Sequence, residues 1–299
     1  MLAAMRPIDI ANLVLLGAIW GGSFPLLRYA APQFGPLALI AVRLISAAVV
    51  VMLLWRVGRE LRANWRRLAL LGLINTAIPF TLFAFAALLI PAGVNSLLNA
   101  TTPIFGALIA RFWLGERLSL QRWSGILLAF VGVGAIVFET VGFGTIDHTG
   151  HGPPWLGVLA GLGAGFLYGL AVCYTRRYLV ELPATVLTAG SIGSAAIMLS
   201  PLALLAWPAT PPTAGAWLAA VVLGLLCTAT AYVLYFRLLK NVGAARAVTT
   251  TFLIPVFGIL WGALFFGERV GGRLLLFCGV VLAGTALATG LFERSRAAV

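Results

Sequence analysis

Charge is scarce in this chain: Asp, Glu, Lys and Arg make up 9% of its 299 residues, against roughly 25% in a soluble domain. That shortage excludes a water-soluble enzyme, a secreted scaffold and a disordered tail. Cys173, Cys227 and Cys278 are the only cysteines. They are odd in number and sit inside apolar runs, so they form neither a disulfide framework nor a metal site. The two histidines, His148 and His151, fall in a Gly-rich connector, where their spacing reads as a solvated linker. There is no His-Glu-x-x-His motif, and the eight acids all lie at or beyond the ends of apolar runs. An intramembrane enzyme therefore lacks its usual groups, and no catalytic residue, cofactor or metal is expected. Lys240 is the one lysine among 20 basic residues; with abundant Ala, Gly and Leu, that preference for arginine points to a bacterial source.

What the chain has in abundance is apolar length. Hydrophobic residues make up 62% and mean hydropathy is +1.05. Runs of spanning length cover 10–30, 37–55, 68–90, 94–113, 123–143, 155–174, 184–207, 214–236, 247–266 and 274–292, which predicts ten transmembrane helices. A net charge of +12 would suggest nucleic acid in a soluble protein. Here the basic residues fill the gaps between runs and act as topology signals. With the N-terminus in the cytoplasm, sixteen of the 20 basic residues fall inside, Arg28, Arg269 and Arg273 fall outside, and Arg43 lies within a run. The expectation is a multi-pass protein of the bacterial cytoplasmic (inner) membrane with both termini cytoplasmic.

The chain also repeats itself. Pro103-Ile104-Phe105-Gly106 returns as Pro255-Val256-Phe257-Gly258, and Gly115-Glu116-Arg117 as Gly267-Glu268-Arg269, both 152 residues later. Gly17, Trp20, Gly21 and Arg28 match Gly165, Tyr168, Gly169 and Arg176 at an offset of 148. The units are residues 8–143 and 155–292, joined by an external linker at 144–154. Five spans per unit make the second copy enter the membrane in the opposite sense, the inverted-repeat architecture of secondary transporters.

These motifs together resemble the drug/metabolite transporter superfamily, in particular its ten-helix members with two EamA-type repeats. The carriers are Trp20 to Phe24 in the first span, Arg43 in the second, Pro103 to Gly106 with Gly115-Glu116-Arg117 at the fourth, Tyr168 to Arg177, and Pro255 to Gly258 with Gly267-Glu268-Arg269. The resemblance implies export of small metabolites, foremost neutral or aromatic amino acids, from the cytoplasm by alternating access, with export of other metabolites or drugs, an intramembrane enzyme or a channel as the alternatives, and the overall pattern is similar to the aromatic amino-acid exporter branch. The partners it implies are a small-molecule substrate and the lipid bilayer, with no nucleic acid, in a monomer or weak oligomer.

Within the runs, polar and aromatic side chains mark a candidate cavity. Asn95, Asn99 and Thr102 recur at i, i+4 and i+7 along the fourth span, and a carboxamide stripe must face protein or water because lipid offers it no partner. Thr228, Tyr232 and Tyr235 repeat that logic in the eighth span, and the third offers Asn75, Thr76, Phe80 and Phe83. Trp20 and Tyr168 stand at matched positions, each an aromatic body with a polar tip. Such a lining suits neutral or zwitterionic solutes with apolar side chains; hydrogen bonding between helices is the competing role for each Asn and Thr. Arg43 reads as an anchor for a substrate carboxylate or for freed carbonyls, with snorkelling to the interface as its alternative. Pro79, Pro103, Pro201 and Pro255 are expected to interrupt their helices and to serve in gating. The glutamates of the two Gly-Glu-Arg turns read as turn and cap charges.

Overall fold

The computed structural model describes residues 5–55, 57–142, 152–247 and 249–290. The His148 and His151 pair, most of the expected linker and the last residues of the tenth run lie outside them. Every regular element among the described residues is helical. In chain order these are α1 (Pro7–Phe34), α2 (Pro36–Leu54), α3 (Trp65–Leu89), α4 (Ala92–Asn99), α5 (Thr102–Trp113), α6 (Leu120–Gly142), α7 (Pro154–Tyr178), α8 (Ala184–Leu205), α9 (Ala214–Val242), α10 (Thr250–Phe266) and α11 (Gly272–Ala288). Short helices at Gly58–Ala63 and Ala244–Ala247 serve the connections. Seven helices among the described residues, α1, α2, α3, α6, α7, α8 and α9, are long and apolar enough to cross a membrane. The shorter α10 and α11 are apolar, and the fourth run is divided between α4 and α5.

Local chemistry sets the ends. Pro7, Pro36 and Pro154 open α1, α2 and α7, at the helical position where a missing N–H costs nothing. Between α1 and α2 the chain reverses through Gly35 at φ 72°, a conformation that disfavours any residue with a β-carbon. The division of the fourth run lies at Ala100 and Thr101, whose N–H groups bond back only three residues, to Leu97 and Leu98. Pro103, in the first turn of α5, has no N–H to offer the Asn99 carbonyl, so a continuous helix loses a bond there. In α3 residues Leu73–Ala77 form a π segment immediately before Pro79, and in α9 Leu225–Thr230 do the same without any proline. By contrast, Pro201 and Pro255 lie inside helices that run through them.

Packing follows the small residues. α1 lies along α10, and α7 along α4 and α5. A β-carbon at Gly21 would stand 2.6 Å from the Phe257 Cβ and 2.8 Å from the Ile254 carbonyl oxygen. One at Gly169 would stand 2.6 Å from the Gly106 nitrogen. Such close approach brings backbones into dispersion contact, the force that associates helices in lipid, where burial from water is not available. Other close pairs are α2 with α8, α6 with α11 and α4 with α10, while α9 lies against α1 and α2, and α3 against α7 and α8. Large apolar side chains such as Leu53, Phe112, Ile197 and Leu264 point outward, as a lipid-facing surface requires.

The two ends of the bundle differ. One carries Arg62, Arg66, Arg67, Arg117, Arg176 and Arg177 and is called the basic end below; at it the Tyr174 hydroxyl donates to the Arg67 carbonyl at 3.3 Å. At the far end Gln33 of α1 accepts hydrogen bonds from Thr213, and Arg273 pairs with Glu139.

Candidate functional site

Between the helices lies a chamber of about 250 Å³, slightly under the ~300–1,000 Å³ usual for drug-sized ligands and suited to one small metabolite. It is lined from α1 (Trp20, Ser23, Phe24, Leu27), α2 (Arg43), α3 (Asn75, Phe80, Phe83), the α4–α5 break (Asn99, Thr102, Pro103), α7 (Tyr168, Val172), α9 (Cys227, Tyr232) and α10 (Thr251, Ile254). A second cavity of about 230 Å³ shares Asn75, Val172 and Tyr232 with it and extends to Leu71, Thr175, Arg176 and Thr188. The second therefore lies on the basic-end side of the shared wall.

Irregular backbone frames this space. The α4–α5 break presents Asn99 and Thr102 to the chamber, and both π segments border it, one carrying Asn75 and the other Cys227 and Thr228. A π turn adds a residue to the helical repeat and shifts side chains around the axis. Thr228 fits this widened turn by donating from Oγ1 to the Leu223 carbonyl at 2.9 Å.

Arg43 is the charged group of the site. Its side chain is buried; Nε donates to Thr228 Oγ1 at 3.0 Å, and the guanidinium carbon lies 4.1 Å from the centre of the Phe80 ring. Among the described residues no carboxylate lies within ion-pair distance of it. A buried guanidinium normally takes a carboxylate partner; here a neutral hydroxyl and a ring face hold it, and its terminal nitrogens donate to nothing described.

Other polar groups are unevenly satisfied. Thr102 Oγ1 is buried without a hydrogen-bond partner. Ser23 donates to the Trp20 carbonyl at 2.5 Å. Asn75 donates to Ser191 at 3.4 Å, and Thr76 shares a 2.5 Å bond with the same hydroxyl. The aromatic walls interlock: Trp20 lies 6.2 Å from Tyr232 and 5.6 Å from Tyr235, and Phe83 lies 5.6 Å from Phe24 and 5.9 Å from Tyr168.

Of the residues singled out in the sequence, Trp20, Arg43, Asn75, Phe80, Asn99, Thr102, Pro103, Tyr168 and Tyr232 share the chamber wall. Thr228 stands one layer behind, holding Arg43, and Tyr235 packs behind Trp20. Asn95 is turned away: its amide donates to the Phe83 carbonyl at 3.0 Å and joins α4 to α3. Pro79, Pro201 and Pro255 lie outside the wall. Wall residues that sequence reasoning missed include Ser23, Val172, Cys227, Thr251 and Ile254. A signal existed for Thr251, which stands 152 residues after Asn99 at the repeat offset. The apolar ones are indistinguishable in sequence from packing residues.

Glu268 also departs from its reading as a turn charge. Its carboxylate reaches across to the start of α4, accepting from Ala92 N at 2.7 Å and Gly93 N at 3.1 Å, and lies 3.3 Å from Arg28 Nη1. The arginine contact lacks hydrogen-bond alignment, so the two backbone bonds make the stronger attachment. Glu116, its counterpart in the first half, pairs with Arg176.

Comparison with known proteins gives a consistent family. Residues 9–138 and 155–290 each match the EamA-like transporter family. Similar proteins include YvbV, an uncharacterized transporter of Bacillus subtilis, 25% identical over 95% of both chains. YedA, an uncharacterized inner membrane transporter of Escherichia coli, is 26% identical over 93% of this chain and 89% of its own. A probable terminal-alkyne amino-acid exporter of Streptantibioticus cattleyicolor is 27% identical over 90% and 91%. A crystal structure superposes with a TM-score of 0.65 at 19% identity, covering 97% of this chain and all of that one, a likeness of fold.

Proposed function

Because the chain belongs to the EamA-like transporter family, we propose that it exports small zwitterionic metabolites, in the first instance neutral or aromatic amino acids, from the cytoplasm by alternating access. The observation that carries the substrate class is Arg43. A buried cation without a carboxylate partner in a chamber walled by Trp20, Phe24, Phe80, Phe83, Tyr168 and Tyr232 leaves an acid to be supplied by the solute. The rings offer its side chain an apolar surface, and Asn99 and Thr102 offer hydrogen bonds to its ammonium group. Phosphate esters would need several basic groups, and the wall has one. The amino-acid exporter among the relatives agrees with this reading.

The same proposal takes the protein as ten spans in two inverted five-helix units, 8–143 and 155–292, with both termini in the cytoplasm and the basic end facing inward. Matched features support it: π segments 152 residues apart at Leu73 and Leu225, and glycine-led packing of α1 on α10 and of α7 on α5. Inverted units joined this way have two equivalent packings, one open to each side. The monomer contains the whole chamber, so a single chain suffices. Proteoliposome counterflow against a panel of amino acids, nucleosides, sugar phosphates and cationic drugs tests the substrate class. Amino acids should compete and sugar phosphates should not; the reverse outcome refutes the proposal.

A further inference from the structure

Among the described residues three ion pairs join the halves of the molecule, and two of them are built from matched residues. Arg28 near the end of α1 pairs with Glu268 just past α10, and Arg176 at the end of α7 pairs with Glu116 just past α5. The arginines are 148 residues apart and the glutamates 152, the two offsets of the internal repeat. Each glutamate follows a glycine of positive φ, Gly267 at 61° and Gly115 at 72°, so both backbones turn in the same way before presenting the acid. The pairs lie at opposite ends of the bundle.

Their environments are unequal. Glu268 is held by two backbone N–H groups at the start of α4 as well as by Arg28, with side-chain exposures of 11% and 16% for the pair. A carboxylate there satisfies donors that the helix leaves open and meets its positive end. Glu116 has Arg176 as its one side-chain partner among the described residues, and the exposures are 34% and 54%. The cavities follow the same asymmetry: the second shares wall residues with the chamber and reaches Arg176, while on the other side the chamber wall reaches Leu27, next to Arg28. A further cavity at the Glu268 end, by Arg269 and Arg273, shares no wall residue with the chamber, so the cavity that shares the chamber wall extends toward Arg176 and not toward Glu268.

We infer that Glu268 and Glu116 are reciprocal gate residues. Glu268 latches α4 and α1 to the end of α10 and closes the chamber at the Arg28 face in the state seen here. Glu116, which among the described residues pairs with Arg176 and accepts from no backbone N–H, gains the matching cap and closes the opposite face when that latch releases. This rests on the alternating-access reading above. It assigns to the two Gly-Glu-Arg turns a part in transport that needs no contact with substrate.

The test uses full-length protein with Cys173, Cys227 and Cys278 replaced by alanine and one reporter, Ser23→Cys, in the chamber wall. Modification by a membrane-impermeant maleimide is followed separately from each face of oriented vesicles. In the parent, the reporter should react faster from the Arg176 face. Glu268→Gln should raise the rate from the Arg28 face about tenfold, the equivalent of one lost charge-assisted hydrogen bond, because an amide presents one acceptor oxygen where the carboxylate presents two. Glu116→Gln should change that rate in the opposite direction. Arg28→Gln, which leaves the α4 cap in place, should act as Glu268→Gln does but more weakly, and it carries the test if Glu268→Gln fails to fold. A purely structural role would lower yield without moving the two faces oppositely. Rates unchanged in every variant, or moved the same way by Glu268→Gln and Glu116→Gln, overturn the inference. No substrate is used, so failed amino-acid counterflow would refute the substrate class and leave the gates standing.

Discussion

Replacing Arg43 by glutamine should abolish the preference for solutes that carry a carboxylate. In the structure the guanidinium is fixed on one side by Thr228 at 3.0 Å and by the Phe80 ring at 4.1 Å. Thr228 in turn is fixed by its bond to the Leu223 carbonyl. The charge is thus positioned before substrate arrives, and little ordering is needed to use it. A charge-assisted hydrogen bond contributes about 1.5–3 kcal/mol, which corresponds to roughly 10- to 150-fold in affinity. The assay is transport KM in proteoliposomes for phenylalanine and for phenethylamine, the same side chain without the carboxylate. Arg43→Gln should weaken phenylalanine by that factor and leave the amine unchanged or improved. Arg43→Lys should retain part of the discrimination, since it keeps the charge but loses the planar fork. If Arg43→Gln weakened both solutes equally, or neither, Arg43 would be a packing residue and the argument from its missing partner would be wrong.

Three further outcomes follow from other parts of the structure. Thr102→Val should leave the melting temperature unchanged or raised, because the hydroxyl it removes is buried without a partner, yet should raise KM about tenfold if that hydroxyl serves substrate; lost stability with unchanged transport would contradict this. Gly169→Val should destabilise by about 1–3 kcal/mol or more through overpacking, since a β-carbon there meets the Gly106 nitrogen at 2.6 Å, whereas Gly134→Val, with open space around it, should melt with the parent. A cysteine at Pro153 should label from outside intact cells and one at Arg62 only after permeabilisation; both positions are exposed, and opposite labelling would invert the assigned orientation.

The helical class was legible because lipid demands continuous apolar helices; among the described residues the apolar runs fall on helix, and seven of the helices are long and apolar enough to cross a membrane. The division of the fourth run was half legible. Pro103 signalled a missing hydrogen bond, but that the chain would turn at Ala100 and Thr101 depends on the backbone bonds to Leu97 and Leu98. The π segment of α9 had no signal, because a widened turn stabilised by Thr228 looks in sequence like any helix. Polar stripes located most of the chamber, since a carboxamide or hydroxyl inside a span has few places to go. Asn95 falls outside the chamber wall, because its amide N–H donates to the Phe83 carbonyl of the neighbouring helix while its Oδ1 stays buried without a partner. Glu268 looked like a cap for its own helix and instead caps α4, whose start lies about 175 residues earlier in the chain. Local pattern cannot reveal a partner so distant, although the recurrence of both arginine and glutamate in the two halves was the clue that joined them.

Binding of the transported solute in the aromatic chamber around Arg43 is our proposal. It is tested most directly by equilibrium binding of radiolabelled phenylalanine to purified protein, compared with Trp20→Ala and Tyr168→Ala proteins that melt at the parental temperature. Saturable binding to the parent, weakened about 5- to 150-fold in both variants by losing 1–3 kcal/mol of ring contact, is the predicted result. Binding of equal strength in all three proteins would contradict the account.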